Sequence, residues 1–123
     1  MKHIEKTLLA SLKEQLLGEQ KNLIEELTDI GRENPQTGDW YAVPMENDGE
    51  ADADYSDQAD YVEEFESRSA RLGELEKKLH DVRDALKKIE GGNYGVCEKS
   101  GQPIEIDRLQ ANPAARTCKA HMN

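Results

Sequence analysis

The sequence predicts a mainly α fold, a long antiparallel coiled-coil hairpin with a small zinc-finger-like C-terminal knuckle. Three observations carry this. Two apolar stripes repeat at a step of seven, a connector crowded with carboxylates separates them, and cysteine and histidine close the chain at x2 spacing. Composition agrees. Hydrophobic residues make up 36% of the 123 and charged residues 34%, with one Trp and one Phe, too lean for a thick globular core but suited to a thin helical body with a narrow seam.

The first stripe is Leu9, Leu16, Leu23 and Ile30, flanked by Leu8, Leu12, Leu17, Ile24 and Leu27. It predicts a helix over about 4–30 with one continuous apolar face. Gly31 is its natural stop, and Pro35 forbids continuation. Gly18 inside the run costs about 1 kcal/mol against alanine, which the length absorbs. The second stripe keeps Phe65, Leu72, Leu79 and Leu86, with Leu75, Val82 and Ile89 as a second row. It predicts a helix over about 59–90, closed by Gly91 and Gly92. Arg68 is the polar intrusion in that row. Neither stripe is stable in water alone, and their matched lengths favour a hairpin of residues 1–90 followed by a separate knuckle over 91–123.

The connector and tip, 31–58, are where charge concentrates. Between Arg32 and Arg68 lie twelve carboxylates and no lysine or arginine. The formal charge of -10 therefore divides into -12 on that segment and +2 on the remainder, where sixteen bases face fourteen acids. Such a block ordinarily keeps a loop solvated. Here it sits at the far end of a predicted hairpin, where paired carboxylates can be carried into a channel toward a metal or a basic residue. Asp54 or Ser56 supplies the N-cap of the second helix, and Asp57 suits its first turn through the helix dipole. The apolar island Trp40-Tyr41-Ala42-Val43-Pro44-Met45 either caps the helical end or meets a partner.

The last third changes character. Gly91 to Ile104 reads as turns and a short hairpin, with a brief helical piece near Arg108–Ala111 before Pro113. Cys97 with Ser100, and Cys118 with His121, have the spacing of a ribbon-type zinc site. One of those four positions is a serine, whose neutral, hard hydroxyl is a weak zinc ligand. Three outcomes stay open: zinc held by Cys97, Cys118 and His121, a metal-free knuckle held by hydrogen bonds, or a Cys97–Cys118 disulfide. An acidic chain (pI about 4.7) is a poor match for nucleic-acid phosphates, so no direct DNA or RNA binding is expected. No apolar run approaches a membrane span and no secretory signal is evident, so a cytoplasmic protein is expected.

The run Tyr94-Gly95-Val96-Cys97-Glu98-x-x-Gly101-x-x-Ile104, then Arg108-Leu109-x-Ala111-x-Pro113-x-Ala115-x-x-Cys118, resembles the zinc-finger signature of the DksA/TraR family. Upstream, Asp54-x-x-Asp57-x-Ala59 followed by Glu63-Glu64-Phe65 resembles that family's coiled-coil tip. The resemblance implies a transcription regulator of the stringent-response type, not an enzyme. It would bind bacterial RNA polymerase and insert its hairpin into the secondary channel to modulate promoter-complex stability. Asp54, Asp57 and Ala59 then become the tip residues.

The departures from the family pattern are Ser100 and His121 in place of two cysteines, and a sequence ending before the C-terminal helix of longer members. Asp81 and Asn112 stand where basic residues would favour the alarmone ppGpp, so weak or absent alarmone dependence is expected. Two other functions fit the same pattern: a Gre-like transcript-cleavage factor, and a coiled-coil adaptor with no polymerase role.

Overall fold

The computed structural model describes residues 3–43 and 55–121, with the side chains of 55–59 excepted. It is mainly helical, in the order α1 (Lys6–Ile30), β1 (Gly31–Glu33), β2 (Trp40–Ala42), α2 (Tyr55–Gly91), α3 (Ile106–Ala111) and a 3₁₀ turn over Lys119–His121. Part of each predicted stripe is buried, while Leu9, Ile30, Phe65, Leu86 and Ile89 are half-buried and Leu17 is exposed. Leu12, Leu16, Leu23 and Leu27 are buried on α1, and Leu72, Leu75, Leu79, Val82 and Ala85 on α2. Each fully buried leucine contributes about 1.5–3 kcal/mol by leaving water. No described helix is long and apolar enough to cross a membrane.

The chain divides into two compact units, Leu23–Lys77 and Met1–Asn22 with Lys78–Asn123. In the Leu23–Lys77 unit, the way α1 ends is the informative feature. Its last carbonyls need donors, and three groups supply them. Arg32 Nη1 donates to the carbonyls of Thr28 and Gly31, each at 2.6 Å, and Arg68 Nη2 reaches Asp29 O at 3.4 Å. The Val43 amide donates to Ile30 O at 3.1 Å. Arg68, the polar intrusion in the seam, thus places a cation at the negative end of the α1 dipole.

Gly31 does end α1, but not as a left-handed cap, since it is absent from the glycines with positive φ. It begins a short antiparallel ladder, Gly31 opposite Ala42, Arg32 opposite Tyr41, Glu33 opposite Trp40. A Cβ there would overlap Leu72 Cδ1 and the Tyr41 carbonyl oxygen. The hairpin turn is tied by Gly38 N donating to Asn34 O and Asn34 N to Asp39 O, both 2.7 Å. Trp40, expected to cap or to meet a partner, lies in β2 with its indole N–H buried.

Helix α2 begins at Tyr55, four residues before the predicted start. Tyr55-Ser56-Asp57-Gln58 carry no apolar period, yet they include no Gly or Pro to oppose helix, and a carboxylate at Asp57 favours a first turn. At the other end the glycine prediction holds. Gly92 has φ 82°, its amide donates to Ile89 O, and Asn93 N donates to Lys88 O at 3.0 Å, the paired bonds of a Schellman cap.

Gly18 and Gly73 sit inside helices with nothing within 4 Å of an added Cβ. Gly18→Ala and Gly73→Ala should each stabilise the protein by about 0.5–1 kcal/mol, as glycine loses more backbone entropy on folding. Urea unfolding of each variant checks this.

In the other unit the chain before α1 leaves the helix and packs on the knuckle. Ile4, predicted as the first helical residue, is buried outside α1 with its Cδ1 against Gly95, and His3 Nε2 donates to Ile104 O at 3.0 Å. Glycine is required at 95: its φ is 84°, and an added Cβ would come within 2.8 Å of Ile4 Cδ1.

Candidate metal-binding knuckle and acidic segment

Residues 94–121 build the knuckle from two turns and α3. In the first turn Cys97 N donates to Gln102 O (2.8 Å) and Gly101 N to Cys97 O (2.9 Å), with Gly101 at φ 73°. Cys97 and Ser100 stand at its two ends. In the second, His121 N donates to Cys118 O at 3.0 Å, so one turn of 3₁₀ helix brings His121 back over Cys118. Glu98 N donates to Arg116 O at 2.9 Å and ties the two cysteine segments together. Beneath them Ile104, Leu109 and Tyr94 are fully buried, and the Tyr94 hydroxyl donates to Pro113 O at 2.6 Å. Arg108 Nε caps the arrangement through Thr117 O at 2.5 Å.

Sequence spacing and structure agree on which donors meet. One ligand atom from each of Cys97, Cys118 and His121 lies within 4.8 Å of the others. His121 turns Nδ1 toward both sulfurs, 3.1 Å from Cys118 Sγ and 3.9 Å from Cys97 Sγ. Ser100 Oγ stands 3.9 Å from Cys118 Sγ. A tetrahedral zinc with ligand bonds near 2.0–2.3 Å needs donor–donor edges of roughly 3.5 Å, which these separations bracket. The donors therefore suit a single Zn²⁺ ion. Both cysteines are buried as free thiols. Burial opposes ionisation of Cys97, but hydrogen bonds from Ser100 and from the backbone around Cys118, Ser100 and Lys99 outweigh it and bring its pKa to about 6, the thiolate form a metal requires.

Sequence reasoning missed Arg116. It sends Nε to Asp81 (2.6 Å) and Nη2 to Asp84 (2.5 Å) on α2, and Nη1 to Glu98 (2.9 Å), which Lys88 also reaches at 2.7 Å. The readable signal was an arginine two residues before Cys118 together with an i, i+3 pair of aspartates, which share one helix face. The hydrogen bond from Arg116 holds Asp84 below its ordinary 3.8, and that from Lys88, then Arg116, holds Glu98 below its ordinary 4.5. Both folded-state values are depressed. Their contribution is thus complete above about pH 4.5 and is lost as pH falls through and below that point. Arg116 and its three carboxylates are each about a third exposed or more, so Arg116→Ala should cost only about 1–2 kcal/mol at neutral pH. The variant should also show a flatter acid limb in stability-versus-pH curves.

Asp54, the first of the predicted tip residues, lies outside the described residues. Asp57 and Ala59 fall in the helical backbone of α2, and their side chains are likewise outside the description. Beyond them Asp60, Glu63, Glu64 and Glu66 are exposed, as is Val62, while Phe65 is half-buried.

Residues 92–120 match the model of the prokaryotic dksA/traR C4-type zinc finger. The chain is 31% identical over 87 residues to the RNA polymerase-binding transcription factor DksA of Caulobacter vibrioides, covering 71% of this chain and 58% of that protein. The chain belongs to the DksA/TraR family. It is also 37% identical over 79 residues to the uncharacterised protein YteA of Bacillus subtilis, across 62% of this chain and 33% of the relative. This DksA/TraR member thus spans less than two thirds of either relative. The structure of transcription factor DksA2 from Pseudomonas aeruginosa superposes with TM-score 0.70 at 23% identity, over 95% of this chain and 81% of that one, a likeness of fold. Against the four-cysteine pattern of the DksA/TraR finger, this knuckle offers Cys97, Ser100, Cys118 and His121.

Proposed function

We propose that the two long helices pair as an antiparallel coiled-coil hairpin, and that the chain is a transcription regulator acting on bacterial RNA polymerase. Asp54, Asp57 and Ala59 form its tip, which enters the secondary channel and shifts the stability of promoter complexes without performing a covalent step. The observation that carries this reading is the segregation of charge. Twelve carboxylates and no base lie between Arg32 and Arg68, across the connector and the first turns of α2, and family membership supplies the partner class. A carboxylate moved out of water toward a cation interacts far more strongly than in solvent. A differential of only about 1.4 kcal/mol between two promoter states changes their ratio tenfold. Zinc held by Cys97, Cys118 and His121 belongs to the same reading.

The same electrostatics argues against a strong alarmone effect. A polyphosphate needs free cations. Beside Asp81, Arg116 is already engaged by three carboxylates and Lys88 by Glu98. Promoter-complex lifetimes measured with purified polymerase test both points. The native protein should change lifetime about tenfold, with little further change on adding ppGpp. The double variant Asp54→Asn, Asp57→Asn should still co-migrate with polymerase but lose the effect. A double variant that keeps full activity sinks the tip assignment.

A further inference from the structure

We infer that the knuckle is a reversible metal site with one coordination position open to an outside ligand, on a fold that stands without the metal. The inference rests on the zinc reading above and goes beyond it. Three donors are strong and directed inward: Cys97 and Cys118 are buried, and His121 is half-buried with Nδ1 facing both sulfurs. The fourth corner is different in kind. Ser100 is exposed, and its hydroxyl is already the acceptor of the Gln102 amide at 3.3 Å. A neutral hydroxyl in that state competes poorly with solvent for a borderline cation. Three protein ligands plus an exchangeable fourth is the arrangement of zinc sites that bind small molecules, whereas closed four-ligand sites are structural.

The second half of the inference comes from what holds the knuckle. Structural zinc domains unfold without metal because nothing else closes their turns. Here the Tyr94–Pro113 bond is buried, Glu98 N to Arg116 O joins the two cysteine segments, and Arg116 fastens them to Asp81 and Asp84. Ile104 and Leu109 are fully buried. Occupancy then follows free metal instead of dictating whether the knuckle folds. The ligand class is a borderline divalent cation such as Zn²⁺, and the outside ligand is water or a small soft donor such as a thiol.

Co²⁺ is the test probe, since its visible bands report coordination number and donor type. Metal-free protein titrated with Co²⁺ should develop thiolate bands, and added mercaptoethanol should shift the ligand-field spectrum. Ser100→Cys should abolish that shift and bind Zn²⁺ at least about tenfold more tightly in a chelator competition. Ser100→Ala should leave both the shift and the affinity unchanged. The near-ultraviolet circular dichroism of the knuckle tyrosine should be the same before and after chelation. A spectrum indifferent to mercaptoethanol, or a marked loss of affinity in Ser100→Ala, shows the position closed and overturns the inference while leaving zinc binding intact. Collapse of the tyrosine signal on chelation overturns it too, and absence of any Co²⁺ or Zn²⁺ binding removes the zinc reading with it.

Discussion

Tyr94→Ala should destabilise the knuckle by about 3–5 kcal/mol, the cost of emptying a large aromatic site. Tyr94 is the largest of the fully buried side chains, and its hydroxyl serves the carbonyl of Pro113, which precedes the segment bearing Cys118. Alanine would leave both a cavity and a buried acceptor without a donor. Because a domain of this size is stable by only about 5–15 kcal/mol, the loss should be plain in urea or thermal unfolding. Tyr94→Phe separates the two terms, removing the hydroxyl alone at a cost of about 1–3 kcal/mol. An alkaline titration reports the burial of the same hydroxyl. Burial pushes the Tyr94 hydroxyl up to about 12 from the usual 10. The folded state therefore holds this proton more tightly than the unfolded chain does. The stabilisation is complete below about pH 10 and disappears as pH rises toward 12. Tyr94→Phe should lack that component of the alkaline limb, and identical limbs would show that the hydroxyl is not buried in solution.

Gly31→Ala should cost about 1–3 kcal/mol through overpacking, the opposite sign from the same change at Gly18 or Gly73. The new methyl meets the tip of Leu72, itself buried, and the Tyr41 carbonyl. A side-chain tip yields by changing rotamer, but the carbonyl belongs to the strand paired with β1, so relief requires the ladder to shift. Hydrogen exchange at the Val43 amide, bonded to Ile30 O, should accelerate together with the loss of stability. An unchanged exchange rate and a neutral unfolding midpoint would mean that the β1–β2 ladder does not pack against Leu72.

The helices were legible because heptad periodicity is a local record of a buried face. Leu16, Leu23, Leu72 and Leu79 fall on the predicted rows and are buried. The start of α2 was not legible, as Tyr55–Gln58 carry no period. Nor was the β1–β2 ladder, since three-residue strands are too short to alternate. The candidate metal donors were legible from x2 spacing. That Ser100 would stand exposed beside Cys118 was a matter of placement.

The sequence by itself determined the helical seams, the segregation of acid between Arg32 and Arg68, the glycine closure at Gly92 and the residues that converge in the knuckle. Each depends on neighbours within a few turns of chain, where spacing dictates geometry. Tertiary structure alone decided that Arg116 would gather Asp81, Asp84 and Glu98, that Arg68 would serve the end of α1, and that Gly31 could carry no side chain. Those outcomes join residues 10–41 positions apart. No local propensity encodes them, because they arise only when packing brings distant charges and carbonyls within hydrogen-bond reach.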